Sequence, residues 1–203
     1  MLLLELFPTP VAIFDLKPLS DEERSTIMKT PTGNTPSSYL EVVSSNDQYI
    51  LRNEKLKRLQ KDIQMCIDDY KNEVMSCDQE LYMTNSWVNF LLPQTKFPIH
   101  HHSNSLVSGV YYIKTDKGMP NIELEHPNTH LWRLTWKRKE YKHGNYLSSN
   151  ITIKDNMLIL FPSTIWHSVS KNLSSTTRVS LSFNTFLRGD LDSNDFLAEL
   201  TLK

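Results

Sequence analysis

Four histidines and one arginine carry most of the chemistry this sequence offers. His100, His101 and His102 stand in a row, His167 closes the run Leu160-Phe161-Pro162-Ser163-Thr164-Ile165-Trp166-His167, and Arg178 follows. A strand alternates its side chains between two faces, so His100 and His102 share one face while His101 takes the other. Two imidazoles on one face plus a distant third can form a facial metal site with open positions. Oxygen-activating non-haem Fe(II) uses that geometry when two histidines are joined by a carboxylate. Here a third histidine stands in the carboxylate's place, and a cation just beyond it suits an anionic co-substrate.

The same alternation sorts the neighbouring runs. In Arg178-Val179-Ser180-Leu181-Ser182-Phe183-Asn184 the arginine, two serines and Asn184 share one side, and Val179, Leu181 and Phe183 the other. Such a polar side faces either solvent or a cavity. Trp87 and Asn89 fall on one face of their run, and Ser108, Val110 and Tyr112 on one face of theirs. If the polar faces meet, one inner surface collects Asn89, Tyr112, Arg178, Ser180, Ser182 and Asn184. Guanidinium, phenol and hydroxyl together grip a carboxylate, the arginine bidentately.

These residues need a scaffold of strands. Ser86–Leu92, Phe97–His102, Leu106–Lys114, Asn121–Glu125, Thr129–Trp136, Ile151–Ile153, Asn156–Phe161, Trp166–Ser170 and Arg178–Phe186 read as short β-runs, separated by turn signals such as Lys117-Gly118 and Asp155-Asn156. Strands at this spacing predict a sandwich or jelly roll, with helices segregated toward the N-terminus and covering one sheet. Leu2–Phe7 and Val11–Leu16 read as strands, and Ser20-Asp21-Glu22-Glu23 is a capping box opening a helix through Met28. Lys29–Asn46, rich in Pro, Ser and Thr, reads as loop. Glu54–Ser76 is the clearest helix, with Leu56, Leu59, Ile63, Cys66, Ile67, Tyr70 and Val74 at helical spacing. That stripe is expected to pack on a sheet.

Composition narrows the classes. At 203 residues the chain fits a single domain over 1–203: N-terminal strands and supporting helices in 1–83, a β core in 84–188 and an extension in 189–203. A domain of this size buries on the order of 70% of its unfolded surface and needs no staples. Cys66 and Cys77 are too few for a disulfide framework, which favours a reducing, cytoplasmic setting. Lys plus Arg number 22 against 23 Asp plus Glu, without the basic excess of a tight nucleic-acid binder. Glu5 and Pro8 interrupt the apolar start too early for a signal peptide, and no run approaches the ~20 apolar residues needed to span a bilayer. Lys137-Arg138-Lys139, among Trp132, Trp136 and Tyr141, reads as a solvated turn or a lid that selects substrate, with polyanion binding the lesser reading. His126, His130 and His143 read as surface or core residues and not as ligands, and Trp166 as pointing outward.

Three ordered motifs carry a resemblance: His100-His101-His102-Ser103-Asn104-Ser105-Leu106-Val107-Ser108-Gly109-Val110-Tyr111-Tyr112, then Leu160-Phe161-Pro162-Ser163 with Trp166-His167, then Arg178-Val179-Ser180-Leu181-Ser182-Phe183-Asn184. From about Trp87 to Arg188 the chain resembles the 2-oxoglutarate and Fe(II)-dependent oxygenases common in bacteriophage genomes, within the prolyl-hydroxylase-like group. Leu6-Phe7-Pro8-Thr9-Pro10 fits the same pattern. The resemblance implies a double-stranded β-helix of cupin-like jelly-roll form, with Fe(II) on His100, His102 and His167. It implies 2-oxoglutarate held by Arg178, with Ser180 as its partner and Tyr112 aimed at the same carboxylate. Dioxygen, and ascorbate as an optional reductant, complete the expected set. The implied reaction is decarboxylation to succinate and CO₂ coupled to hydroxylation of a C–H bond. A phage-encoded protein would work in the host cytoplasm.

The wider group has Asp or Glu where His102 stands, and an alternative ligand pair of His102 with Asn104 leaves the site without its anion. Two rival readings stay open: a three-histidine cupin-like metalloprotein that does not use 2-oxoglutarate, and a non-catalytic interaction module. The target is not fixed by the sequence, whether a protein side chain, a nucleobase or a small metabolite. Neither is oligomeric state.

Overall fold

The structure, a computed structural model, describes residues 2, 6–34, 43–127, 136–137, 139–142, 145–191 and 198–202. Its strands are β1 (Ala12–Asp15), β2 (Thr32–Asn34), β3 (Val43–Ser45), β4 (Glu80–Leu91), β5 (Phe97–His100), β6 (Val107–Lys114), β7 (Ile122–Glu125), β8 (Ser148–Ile151), β9 (Met157–Pro162), β10 (His167–Val169), β11 (Arg178–Leu191) and β12 (Leu200–Leu202). Helices α1 (Asp21–Met28) and α2 (Lys57–Tyr70) precede β4. The larger sheet runs β1-β9-β6-β11-β4-β3-β2, with β12 against β11, and the smaller runs β5-β10-β7-β8. All paired strands within both sheets are antiparallel, and a shared apolar cluster with Tyr112, Ile159 and Phe161 from one and Ile122 and Leu124 from the other packs them face to face. This is the expected mainly-β jelly roll with helices on one side.

The helices cover the outer face of the larger sheet. Leu59, Ile63, Cys66, Ile67 and Tyr70 of α2 are all buried, in one cluster with Leu81, Val88, Tyr111, Leu181 and Phe183 of the sheet. Helical spacing of apolar residues puts them on one stripe, and burial of that stripe is what holds the helix. The helix closes sooner than its periodicity predicts. It ends at Tyr70 and passes through a wider π turn, Lys71–Met75, to Ser76 at φ 48°, so Val74 leaves the stripe and is 42% exposed.

At α1 the capping box forms. Ser20 Oγ accepts from the Glu23 amide at 3.2 Å, and Glu23 Oε2 accepts from the Ser20 amide at 2.8 Å. The same carboxylate takes Arg58 of α2 bidentately, Nε at 2.9 Å and Nη2 at 2.5 Å, tying the helices together. Burial alone would raise the Glu23 carboxyl, but the Arg58 and Ser20 hydrogen bonds outweigh it and hold it below its usual range.

Several expected boundaries move. The Lys29–Asn46 stretch, read as loop, contributes β2 and β3, paired Thr32↔Ser45 to Asn34↔Val43; residues 35–42 lie outside the described set. With β1 on β9 and β3 on β4, the N-terminal third belongs to the larger sheet as well as supporting it. β4 starts at Glu80, six residues earlier than expected, because its first half pairs with the far end of β11. Of the strand expected over Leu2–Phe7, residues 3–5 are outside the described set, and Leu2, Leu6 and Phe7 are exposed and in no strand. Most of the expected Thr129–Trp136 strand, with His130 and His143, also lies outside it, and Trp136 is not in a strand.

Candidate metal and co-substrate site

The smaller sheet places the first two imidazoles. In the β5–β10 pair His100 sits directly opposite His167, and their ring centroids are 4.2 Å apart. β5 ends at His100, so His102 is not on a strand as the alternation argument required. Its amide donates to Ser163 O at 3.0 Å, which returns the ring to the same spot, 5.1 Å from His167 and 5.4 Å from His100. One ligand nitrogen from each of the three lies within 4.8 Å of the others. His101 turns outward and meets the exposed Trp166 ring edge-on at 4.5 Å.

Hydrogen bonds set which nitrogen of each ring is available. Nδ1 of His100 meets Pro98 O at 2.9 Å and Nδ1 of His167 meets Ile165 O at 3.0 Å. A carbonyl only accepts, so each Nδ1 carries the proton and the lone pair is on Nε2. For His102 the partners are Asn184 Oδ1 at 2.5 Å and Ser108 Oγ at 2.9 Å. Burial keeps the rings neutral. It takes His102 down to about 4 against the opposing Asn184 bond, and His167 down to about 3 with the nearby His100 pushing the same way; His100 is lowered too. Three convergent neutral imidazoles suit a divalent transition metal. Metal-ligating histidines hold their second nitrogen on a fixed acceptor in this way.

The larger sheet supplies the opposite wall. β11 lies between β4 and β6 in the register Ser180↔Asn89 and Ser180↔Tyr112, Ser182↔Trp87 and Ser182↔Val110, Asn184↔Asn85 and Asn184↔Ser108. The polar faces therefore meet as the alternation predicts, and the resulting cavity of about 310 Å³ is lined by all three histidines and by Arg178, Ser180 and Tyr112. Arg178 is 3% exposed, and its Cζ lies 5.0 Å from the centroid of the Tyr112 ring. Its Nε and the Tyr112 hydroxyl are buried without a hydrogen-bond partner among the described residues. The two groups feel each other electrostatically but do not reach bonding geometry. Burial depresses the guanidinium and raises the phenol, each shift opposed by the other's proximity. A buried cation with no anion costs several kcal/mol unless a ligand supplies one. The donor set thus fits a carboxylate as the imidazoles fit a metal.

Two expected carboxylate-gripping residues are engaged elsewhere. Asn89 accepts from Ser44 Oγ at 2.9 Å and donates to Ser182 Oγ at 3.0 Å, bracing the wall. Asn184 directs its oxygen to His102 and Ser108. Ser44, Gln48, Phe97, Ser103 and Ile122 line the cavity although no sequence pattern singled them out. Ser44 and Gln48 come from the stretch around β3, too short to show periodicity, whereas strict alternation gives Phe97, three residues before His100, the opposite face, and the irregular register of β5 on β10 brings it to the cavity. His126 lies outside the histidine group, half-buried, its amide on Leu147 O. Lys137 and Lys139 are exposed, and Tyr141 stacks on Tyr146 at 5.8 Å.

Comparisons with known proteins agree with this geometry. Residues 85–184 match the family model described as "Putative 2OG-Fe(II) oxygenase", a span holding the three histidines and Arg178. No curated protein sequence matches the chain. Among solved structures, HygX from Streptomyces hygroscopicus with nickel, 2-oxoglutarate and hygromycin B bound superposes with a TM-score of 0.62 at 12% identity, covering 87% of this chain and 82% of that one. A Pseudomonas putida prolyl-4-hydroxylase gives 0.60 at 10%, covering 89% and 94%. A prolyl hydroxylase from Trichoplax adhaerens, in complex with a hypoxia inducible factor peptide fragment, gives 0.57 at 12%, covering 87% and 83%. At such identities the superpositions establish the fold, and the family match falls on the residues that line the cavity. The chain belongs to the 2-oxoglutarate- and Fe(II)-dependent oxygenases.

Proposed function

We propose that His100, His102 and His167 hold Fe(II), that Arg178 holds the distal carboxylate of 2-oxoglutarate, and that the protein hydroxylates a C–H bond of its target. The observation that supports this most is the buried guanidinium without an anion, facing three neutral imidazoles across one cavity. Ser180 lines the wall beside Arg178, and Tyr112 turns its hydroxyl inward without a partner; both complete the carboxylate cradle. Fe(II) held on His100, His102 and His167 would, with 2-oxoglutarate and dioxygen, supply the oxidation, the two oxygen atoms being accounted for by the hydroxylated target and by succinate, with CO₂ lost. The chain's own part is to fix the ligand geometry, orient the co-substrate and exclude water.

A cavity of about 310 Å³ lies at the small end of ligand pockets and holds the co-substrate too. The target therefore inserts one projecting group into the cavity, which Trp87, Phe97 and Gln48 also line, and keeps its bulk outside. A side chain of a peptide and a substituent of a small molecule both satisfy this; the Trichoplax prolyl hydroxylase binds a peptide fragment and HygX binds hygromycin B. We assign residues 1–203 to one such domain, with a cytoplasmic setting favoured by the unpaired Cys66 and Cys77. No described helix is long and apolar enough to cross a membrane. Phage provenance rests on the motif resemblance alone.

Succinate release from 2-oxoglutarate, uncoupled or stimulated by a lysate fraction, tests the reading. His167→Ala is expected to abolish it, and Arg178→Met to raise the 2-oxoglutarate requirement at least tenfold with the iron requirement unchanged. Turnover that survives His167→Ala refutes the ligand set. Equal rises for iron and co-substrate remove Arg178 as the anchor.

A further inference from the structure

The three imidazoles are not anchored alike. His100 and His167 each donate Nδ1 to a carbonyl two residues back in their own chain segment, so strand geometry fixes them locally. His102 follows the end of β5, and two residues after it Asn104 turns the chain at φ 55°, so no strand ladder sets its ring. Its Nδ1 finds Asn184 Oδ1, 82 positions away along the sequence. Without such a partner a histidine on a turn can rotate its ring and present either nitrogen.

Asn184 is itself held on several sides. Its Oδ1 also accepts from Ser108 Oγ at 2.9 Å, and Ser108 Oγ lies 2.7 Å from Ser163 Oγ, which lies 2.7 Å from Ser105 Oγ. Ser108 and Ser163 are fully buried. The register of β11 on β4 slips between Asn184 and Thr185, a bulge of the kind that re-aims a side chain. Thr185 pins that bulge to β6, donating Oγ1 to Val107 O at 2.7 Å and accepting from Val107 N at 3.1 Å. The network therefore meets His102 Nδ1 at two points, Asn184 Oδ1 at 2.5 Å and Ser108 Oγ at 2.9 Å, and of these Asn184 Oδ1 is the one that can only accept, taking the Ser108 proton as well.

We propose that Asn184, oriented by Ser108 and by the Asn184/Thr185 bulge, is the positioning residue that fixes the tautomer and rotation of His102 and so completes the three-histidine metal site. This rests on the ligand assignment above. Asn184 touches neither metal nor co-substrate in this role. It holds Nδ1 protonated so that Nε2 offers its lone pair, and being neutral it does so without adding charge to the centre.

The test uses the purified full chain, stripped of metal and titrated anaerobically with Co(II) in the absence of 2-oxoglutarate. Asn184→Leu is expected to weaken Co(II) binding by 10–100-fold, the usual effect of losing such a partner. Asn184→Asp keeps an acceptor oxygen in place and is expected to bind at least as tightly as the wild type. Imidazole ¹⁵N shifts of the metal-free wild type at pH 8 should show His102 as the Nδ1–H tautomer, a readout independent of whether the leucine variant folds. Wild-type affinity in Asn184→Leu, equal weakening in the Leu and Asp variants, or an Nε2–H tautomer overturns the proposal. His102→Ala separates the two levels. If it leaves Co(II) affinity unchanged the ligand assignment itself fails, and if it weakens binding while Asn184→Leu does not, only the positioning role fails.

Discussion

Successive residues of β11 live in two different solvents. Val179, Leu181 and Phe183 are fully buried in one apolar cluster with Ile27 of α1, Leu59 and Ile63 of α2 and Tyr111. Arg178, Ser180, Ser182 and Asn184 alternate with them and face the cavity, where a guanidinium nitrogen and a phenol lack partners among the described residues and three imidazoles are held neutral. One strand thus assigns its odd positions to stability and its even positions to chemistry. The period of two makes this possible, because a change on one face need not disturb the other. The outer face should tolerate no loss of volume, and the inner face should be more stable without its functional groups than with them.

The largest effect is expected on the outer face. Phe183 is opposite Gly109, and a Cβ on that glycine would lie 2.1 Å from Phe183 Cζ, so ring and backbone are in direct contact. Phe183→Ala is expected to cost about 3–5 kcal/mol in denaturant unfolding through the cavity it leaves. Gly109→Ala alone should cost about 1–3 kcal/mol by overpacking. The pair should couple: in the Phe183→Ala background the new methyl has space, and Gly109→Ala becomes near neutral. Additive losses, or a Co(II) affinity of folded Phe183→Ala more than tenfold below the wild type, would break the separation of the faces.

Most of this separation was legible in the sequence, because alternation is a local property. The polar and apolar sides of β11, the outward His101 and Trp166 and the Ser20–Glu23 capping box all follow from spacing of four residues or fewer. What was not legible depends on long-range register. The bulge after Asn184 takes a residue that alternation gives to the co-substrate and aims its oxygen at His102. β2 and β3 are three residues each, too short for a period, so the role of Ser44 in bracing Asn89 left no trace. β5 stops at His100, and the backbone bond from His102 to Ser163 does what strand alternation was expected to do.

The inner face should show itself next in the pH dependence of the metal-free protein. His102 and His167 titrate near 6.5 when unfolded and are lowered to about 4 and about 3 in the fold. Below about 6.5 the unfolded chain takes up protons that the folded chain refuses, so stability is complete above that pH and declines as it falls toward 4. The loss should reach on the order of a few kcal/mol. Glu23 acts in a lower window: its depressed carboxyl stabilises the fold above its ordinary value of 4.5, and that part is lost only as pH drops through the folded value. Melting temperatures in chelator from pH 8 to pH 4.5 should therefore fall less in His167→Ala than in the wild type. Parallel curves would mean that the imidazoles are not the groups refusing protons.

The smallest effect tests the comparison most directly, because its sign is unusual for a buried residue. Arg178 is almost wholly inaccessible, its Nε has no acceptor, and burial depresses its guanidinium. Removing a buried charged group normally destabilises because a partner is left behind uncompensated, but Arg178 has no ion pair to break among the described residues. Methionine keeps an unbranched apolar stem of similar length in the buried site and sheds the desolvated charge. Arg178→Met is therefore expected to leave the metal-free protein unchanged or more stable by about 1 kcal/mol in urea. The same variant should lose the stabilisation that added 2-oxoglutarate gives the metal-loaded wild type, a shift that mass action ties to affinity. A loss of about 2 kcal/mol or more in the ligand-free state would show that Arg178 serves the outer face's purpose, holding the fold, and that the inner wall is not built around an absent anion.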